Sequence, residues 1–186
     1  MKHVMKITCS TLLLASLLVC FTLRLQAQAV SGEDLKTQMV KDWERAKDYT
    51  LEYLHTMPAD KYSFKPVDSI RSFAQQMLHL AQGSVFLATN GTGQTRIFGN
   101  TPLDTRASAQ AADSVLYFVT ASYDYVIQGL KGMDPAKFGE MVGPGNRKEA
   151  RYVWIMKAFE HQTHHRGQAT IYIRLQGIRP PQEKLF

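Results

Sequence analysis

The chain has 186 residues, with 22 Lys+Arg against 16 Asp+Glu, 45% hydrophobic and 10% aromatic residues, and two cysteines. That composition excludes wholesale disorder and a fibrous repeat, and the length suits one domain with a real core. The formal charge of +6 points to a nucleic-acid partner only until its location is considered.

The first segment reads as an address. Lys2 and Lys6 form a basic start, Leu12 to Leu23 is an apolar run short of the roughly 20 residues that a membrane span needs, and Ala27-Gln28-Ala29 offers small residues for a signal peptidase. We therefore expect residues 1–29 to be a signal peptide, cut after Ala27 or Ala29, and residues 30–186 to form an exported, periplasmic domain. A lipid anchor at Cys20 fits poorly, because Val19 is bulky and apolar residues continue beyond it. Loss of Lys2, Lys6 and Arg24 halves the charge of +6 to +3 and leaves no basic block, so nucleic-acid binding is not expected. Cys9 and Cys20 leave with the same segment, and with them any disulfide or thiolate chemistry.

Four helical segments follow. The first starts at Ser31, with Asp34 three residues on, and carries Leu35, Met39, Trp43, Ala46, Leu51, Leu54 and Met57 in steps of three and four. Pro58 ends it. After a linker containing Tyr62, Phe64 and Pro66, Asp68 or Ser69 is expected to cap a second helix with the stripe Ile70, Phe73, Ala74, Met77, Leu80, Ala81, Ser84, Leu87 and Ala88, stopped at Asn90-Gly91. Residues 91–104 lack periodicity and read as a long connection. A third helix is predicted from about Ser108 to Leu130, and a fourth from about Lys148 to Gln176, with Gly177 beyond its end. No strand is evident. Four helices with one long connection between the second and third predict an all-α four-helix bundle.

The chemistry is concentrated in histidines. Three lie in HQTHHRGQ, in the middle of the fourth helix. His161 and His165, four apart, project about 40° from one another and one turn apart, so two imidazoles at that spacing can bind one ion. His161 and His164, at spacing three, can do so too. The His165 face continues through Trp154, Ile155, Ala158, Ala169 and Tyr172, whereas the His164 face runs through Lys157, Glu160 and Ile171, so His161 and His165 point inward and His164 to the rim. A buried imidazole needs a partner, since an unpaired buried polar group costs about 1–3 kcal/mol. A shared metal supplies one, and a neighbouring polar side chain supplies the alternative. Catalytic zinc takes three protein ligands with an open position. His79, among Gln75, Gln76, Gln82 and Gly83, is the candidate third ligand if the second helix packs on the fourth; otherwise it is a rim histidine held by a glutamine. His55, in the last turn of the first helix, complements the helix dipole.

His79 in QMLHLA, HQTHHRGQ at 161–168, LQGIRPP at 175–181 and YSFKP at 62–66 together resemble the DinB/YfiT-like group of proposed metalloenzymes, over essentially all of the chain after the leader. The resemblance implies a bundle of that type and a divalent ion, zinc, nickel or another first-row metal, on His79, His161 and His165, and often a dimer. It also implies activities such as those of thiol-dependent transferases and isomerases. Export sets this chain apart from cytosolic thiol cosubstrates. The expected function is thus a divalent-metal-dependent enzyme of hydrolase or thiol-transferase type acting on a small molecule, with a non-catalytic metal-binding or interaction domain of the cell envelope as the alternative. His164 or Glu160 can orient a ligand at the site, and Glu160 can equally be a solvated surface residue. Gln168 can satisfy a buried imidazole nitrogen. Gly167 is expected to admit a neighbouring helix, and Arg166 to meet an acid across the bundle or lie exposed.

Overall fold

A computed structural model describes residues 30–186; residues 1–29, with the expected signal peptide and both cysteines, lie outside the described residues. Four helices account for most of these: α1 (Gly32–Thr56), α2 (Phe73–Thr92), α3 (Ala112–Gly132) and α4 (Arg151–Leu175). Residues Lys36–Phe186 form one compact unit. At the start of α1 the Ser31 hydroxyl accepts from the backbone N–H of Asp34 at 3.0 Å, closing the expected cap. No described helix is long and apolar enough to cross a membrane.

Helix α2 is the central element of the unit and packs against both α3 and α4. Its burial is correspondingly wider than one stripe. Leu78 and Val85 are as buried as Phe73, Met77, Leu80 and Ala81. The helix starts at Phe73, not at Ile70, because Ser72 accepts from the Gln75 N–H and the Gln75 side chain accepts from the Ser72 N–H. That reciprocal capping box outcompetes Asp68 and Ser69, and Ile70 is left exposed. Asn90-Gly91 does not stop the helix. It runs to Thr92 and is closed by Gly93, whose φ of 77° is the left-handed conformation that glycine adopts without strain. Gly91 instead meets α4, since a Cβ there would lie 2.7 Å from Ile155 Cγ1.

The connection from α2 to α3 is long, as expected, but it is tied down. Gln82 receives the Leu103 N–H at 2.7 Å and donates to the Thr101 carbonyl at 3.2 Å, and Gln75 donates to the Asp104 carbonyl at 3.2 Å. Leu103 is fully buried. Short helical turns at Leu103–Thr105 and Ala107–Ala109 delay α3 to Ala112, four residues later than the periodicity suggests.

Two short strands, β1 (Met141–Val142) and β2 (Glu149–Ala150), pair antiparallel ahead of α4, where the sequence showed none. Two residues per strand are too few for an alternation to be visible. The Trp154 indole N–H donates to the Val142 carbonyl at 2.9 Å and fixes this hairpin to the first turn of α4, which therefore begins at Arg151.

From Lys36 onward α1 joins through large side chains. Trp43 stacks edge-on against Tyr123 at 5.6 Å and Phe159 at 5.5 Å. Beneath them lies a polar chain. Thr50 and Tyr123 hydroxyls are 2.7 Å apart, Tyr123 donates to Gln162 Oε1 at 2.8 Å, and Arg166 Nη1 donates to the same oxygen at 2.8 Å. Burial drives the Tyr123 hydroxyl up to about 12, so it stays a protonated donor.

Candidate metal centre

His79 sits mid-way along α2, and His161 and His165 sit on the face of α4 that α2 covers. The three rings converge. Ring centroids are 4.4 Å apart for His161 and His165, 4.6 Å for His79 and His165, and 5.4 Å for His79 and His161. One nitrogen from each lies within 4.8 Å of the other two. Ligands about 2.0–2.1 Å from a tetrahedral ion stand about 3.3 Å apart, so the three rings must draw closer to share one.

The cluster favours neutral, ligand-competent imidazoles. Burial, reinforced by the neighbouring His165, His79 and His164, holds His161 down at about 3. Burial and the neighbouring His79 and His164 hold His165 at about 4. His79 is lowered as well, first by burial and then by Arg71, with Asp104 opposing. His161 Nδ1 is buried and has no hydrogen-bond partner among the described residues. An orphaned nitrogen among three neutral imidazoles fits a cation-filled site.

Groups around the rings hold them in place. Gln76 Nε2 lies 2.8 Å and Gln168 Oε1 3.2 Å from His165 Nδ1, and the two carboxamides also bond to each other. The two carboxamides bracket Nδ1 and fix the plane of the His165 ring. Gln168 Oε1 thus stands beside a His165 ring nitrogen, and Gln76 adds a buried carboxamide that the sequence did not single out. Asp104, delivered by the tied-down connection, places Oδ2 3.7 Å from His79 Nδ1 and 3.0 Å from Arg71 Nε. Nothing local marks Asp104 in the sequence, because its neighbour lies 25 positions away across a loop.

The glycine that admits the close approach is Gly83, not Gly167. A Cβ on Gly83 would lie 2.3 Å from His161 Cε1 and 2.5 Å from Nε2, whereas nothing stands within 4 Å of one on Gly167. Arg166 likewise departs from expectation. It is 6% exposed and pairs with no acid among the described residues. Its guanidinium lies 4.5 Å over the Tyr49 ring and donates to Gln162 and, at 3.3 Å, to Thr50. Adjacent to His165, it ties that segment of α4 to α1.

His164 is exposed, with Gln168 Nε2 3.1 Å from its Nε2 and its ring 4.9 Å from that of His165. Glu160 is exposed and receives the Lys157 ammonium at 2.6 Å. Both line, together with His161, a cleft of 570 Å³ walled by Leu87, Val153 and Trp154. His55 is exposed in the last turn of α1, away from the cluster.

Comparison with known proteins agrees with this architecture. The DinB family model matches residues 30–185. A DinB-like protein of Bacillus cereus superposes with a TM-score of 0.67 at 17% identity, covering 78% of this chain and 95% of that one. A DinB-like protein of Bacillus subtilis gives 0.61 at 18% identity, covering 80% and 96%, and a conserved protein of Enterococcus faecalis gives 0.61 at 16%, covering 79% and 98%. At these identities the likeness is one of fold. No curated protein matches the chain.

Proposed function

The chain belongs to the DinB family, and on that premise we propose that it is an exported, divalent-metal-dependent enzyme, of hydrolase or thiol-transferase type, whose ion is held by His79, His161 and His165. The observation that carries this reading is the convergence of three neutral imidazoles from two helices, with one nitrogen of each within 4.8 Å of the others. Three nitrogens suit zinc, nickel or another first-row ion, because imidazole accepts them all. Bound there, such an ion supplies Lewis-acid activation of a water or substrate heteroatom at its remaining positions.

The protein's own residues do the rest. Gln76 and Gln168 orient His165, and Asp104 sets the charge beside His79. The cleft at His161 leads substrate to the cluster, with His164 and Glu160 on its rim to orient a polar group. The substrate is a small molecule, the working compartment is the periplasm, and a homodimer is the expected assembly.

The test is metal analysis of protein taken from its native compartment. Wild type is expected to carry about one first-row ion per chain, and a His161→Ala, His165→Ala double variant none. Equal metal in both removes the proposal. If His79→Ala alone keeps full affinity, the third ligand is wrong while the α4 pair stands.

A further inference from the structure

We propose that Arg71 is the recognition group for an anionic substituent of the substrate, a carboxylate or phosphoryl group, seated in the polar cleft on the α2 N-terminal side of the three histidines. The substrate role rests on the metal-centre reading; the anion site is made by the protein alone.

Arg71 is built into its place. Its backbone carbonyl accepts the Tyr172 hydroxyl at 2.8 Å, and the next residue, Ser72, caps α2. Its Nε donates to Asp104 Oδ2 at 3.0 Å, which fixes the plane of the guanidinium. Neither Nη finds a protein acceptor among the described residues, and the side chain is 42% exposed. An arginine held at Nε with both Nη groups open presents the paired donors that a carboxylate or phosphoryl group takes. The cleft that it lines, of 670 Å³, is shared with Gln75, Gln76, Gln168, Thr105 and the Asp104 carboxylate that Arg71 already pairs. Gln76 and Gln168 are the carboxamides on His165, so a ligand here lies one side chain from the cluster.

Charge argues the same way. A single carboxylate oxygen of Asp104 lies between the guanidinium and His79. Asp104 is offset by Arg71, whose Nε lies 3.0 Å from its Oδ2. A dication on the histidines leaves this region with uncompensated positive charge, which an anion at the Nη groups cancels. Metal and anion then strengthen each other's binding by one common factor.

The test is calorimetric titration of acetate, methylphosphonate and neutral acetamide into wild type, Arg71→Lys and Arg71→Met, each metal-free and zinc-loaded, with thermal unfolding to confirm that the variants are folded. Wild type is expected to bind at least one anion and not acetamide. Arg71→Met should weaken the anion at least tenfold and Arg71→Lys less, at unchanged zinc content. Preference for acetate or methylphosphonate tells carboxylate from phosphoryl substrates. Equal anion affinity in wild type and Arg71→Met, or none in wild type in either form, overturns the proposal. Failure of every chain to take zinc would sink the metal reading instead, and the metal-free titrations would still decide the role of Arg71.

Discussion

Burial drives each imidazole of the cluster toward its neutral form, and this sets the pH response. His161 at about 3 and His165 at about 4 bind fewer protons folded than unfolded, where the ordinary value is about 6.5. Stability that depends on them is therefore constant above pH 6.5 and is lost as pH falls from there toward 4 and 3. The slope is at most about 1.4 kcal/mol per pH unit for each ring. Urea unfolding of the metal-free protein should show a lower midpoint at pH 5 than at pH 7, with the difference shrinking in a His161→Asn variant. A midpoint equal at both pH values contradicts the burial argument. At this scale the sequence was informative about the rings and silent about their surroundings. Spacing on one helix made His161 and His165 a pair, and Gln168 followed from the same helix. Asp104 and Gln76 did not emerge, because their roles depend on how a loop and a second helix lie.

The relation between α2 and α4 decides whether those rings meet. Two glycines eight residues apart on α2, Gly83 and Gly91, face α4 at positions where a Cβ would fall 2.3 Å from His161 and 2.7 Å from Ile155. Alanine at Gly83 forces the His161 ring to move from its place in the cluster. Gly83→Ala is expected to weaken zinc affinity at least tenfold while leaving the helical circular dichroism intact. Gly167→Ala, on the exposed side of α4, should leave zinc affinity unchanged and stabilise the helix by about 0.5–1 kcal/mol. Equal zinc affinity in Gly83→Ala and wild type would mean that the packing of α2 on α4 does not place the site. Periodicity located both helices but misjudged this role. A glycine in a helix looks the same in sequence whether it ends the helix, as Gly91 was expected to, or makes room for a neighbour. The starts of α2 and α3 were misplaced for a related reason: capping and short turns are settled by a few hydrogen bonds, which a stripe of apolar residues does not register.

Taken as a whole, the described chain is a four-helix bundle in which α1 joins through aromatic and polar side chains and α2 meets α4 at close range. The bundle and its long second connection were legible because four apolar periods and one aperiodic stretch are whole-chain signals. The hairpin before α4 and the burial of Arg166 were not, since both depend on contacts made after folding, with Trp154 in one case and with Tyr49 and Gln162 in the other. That buried cation, next to His165, couples the rotation of α4 to α1, so the whole bundle contributes to where the imidazoles point. The most direct test of the account is X-ray absorption at the metal edge of zinc-loaded protein. It should show three imidazole nitrogens at about 2.0–2.1 Å, falling to two in His79→Ala. A zinc environment without imidazole, or one that is identical in His79→Ala, His161→Ala and wild type, would contradict it.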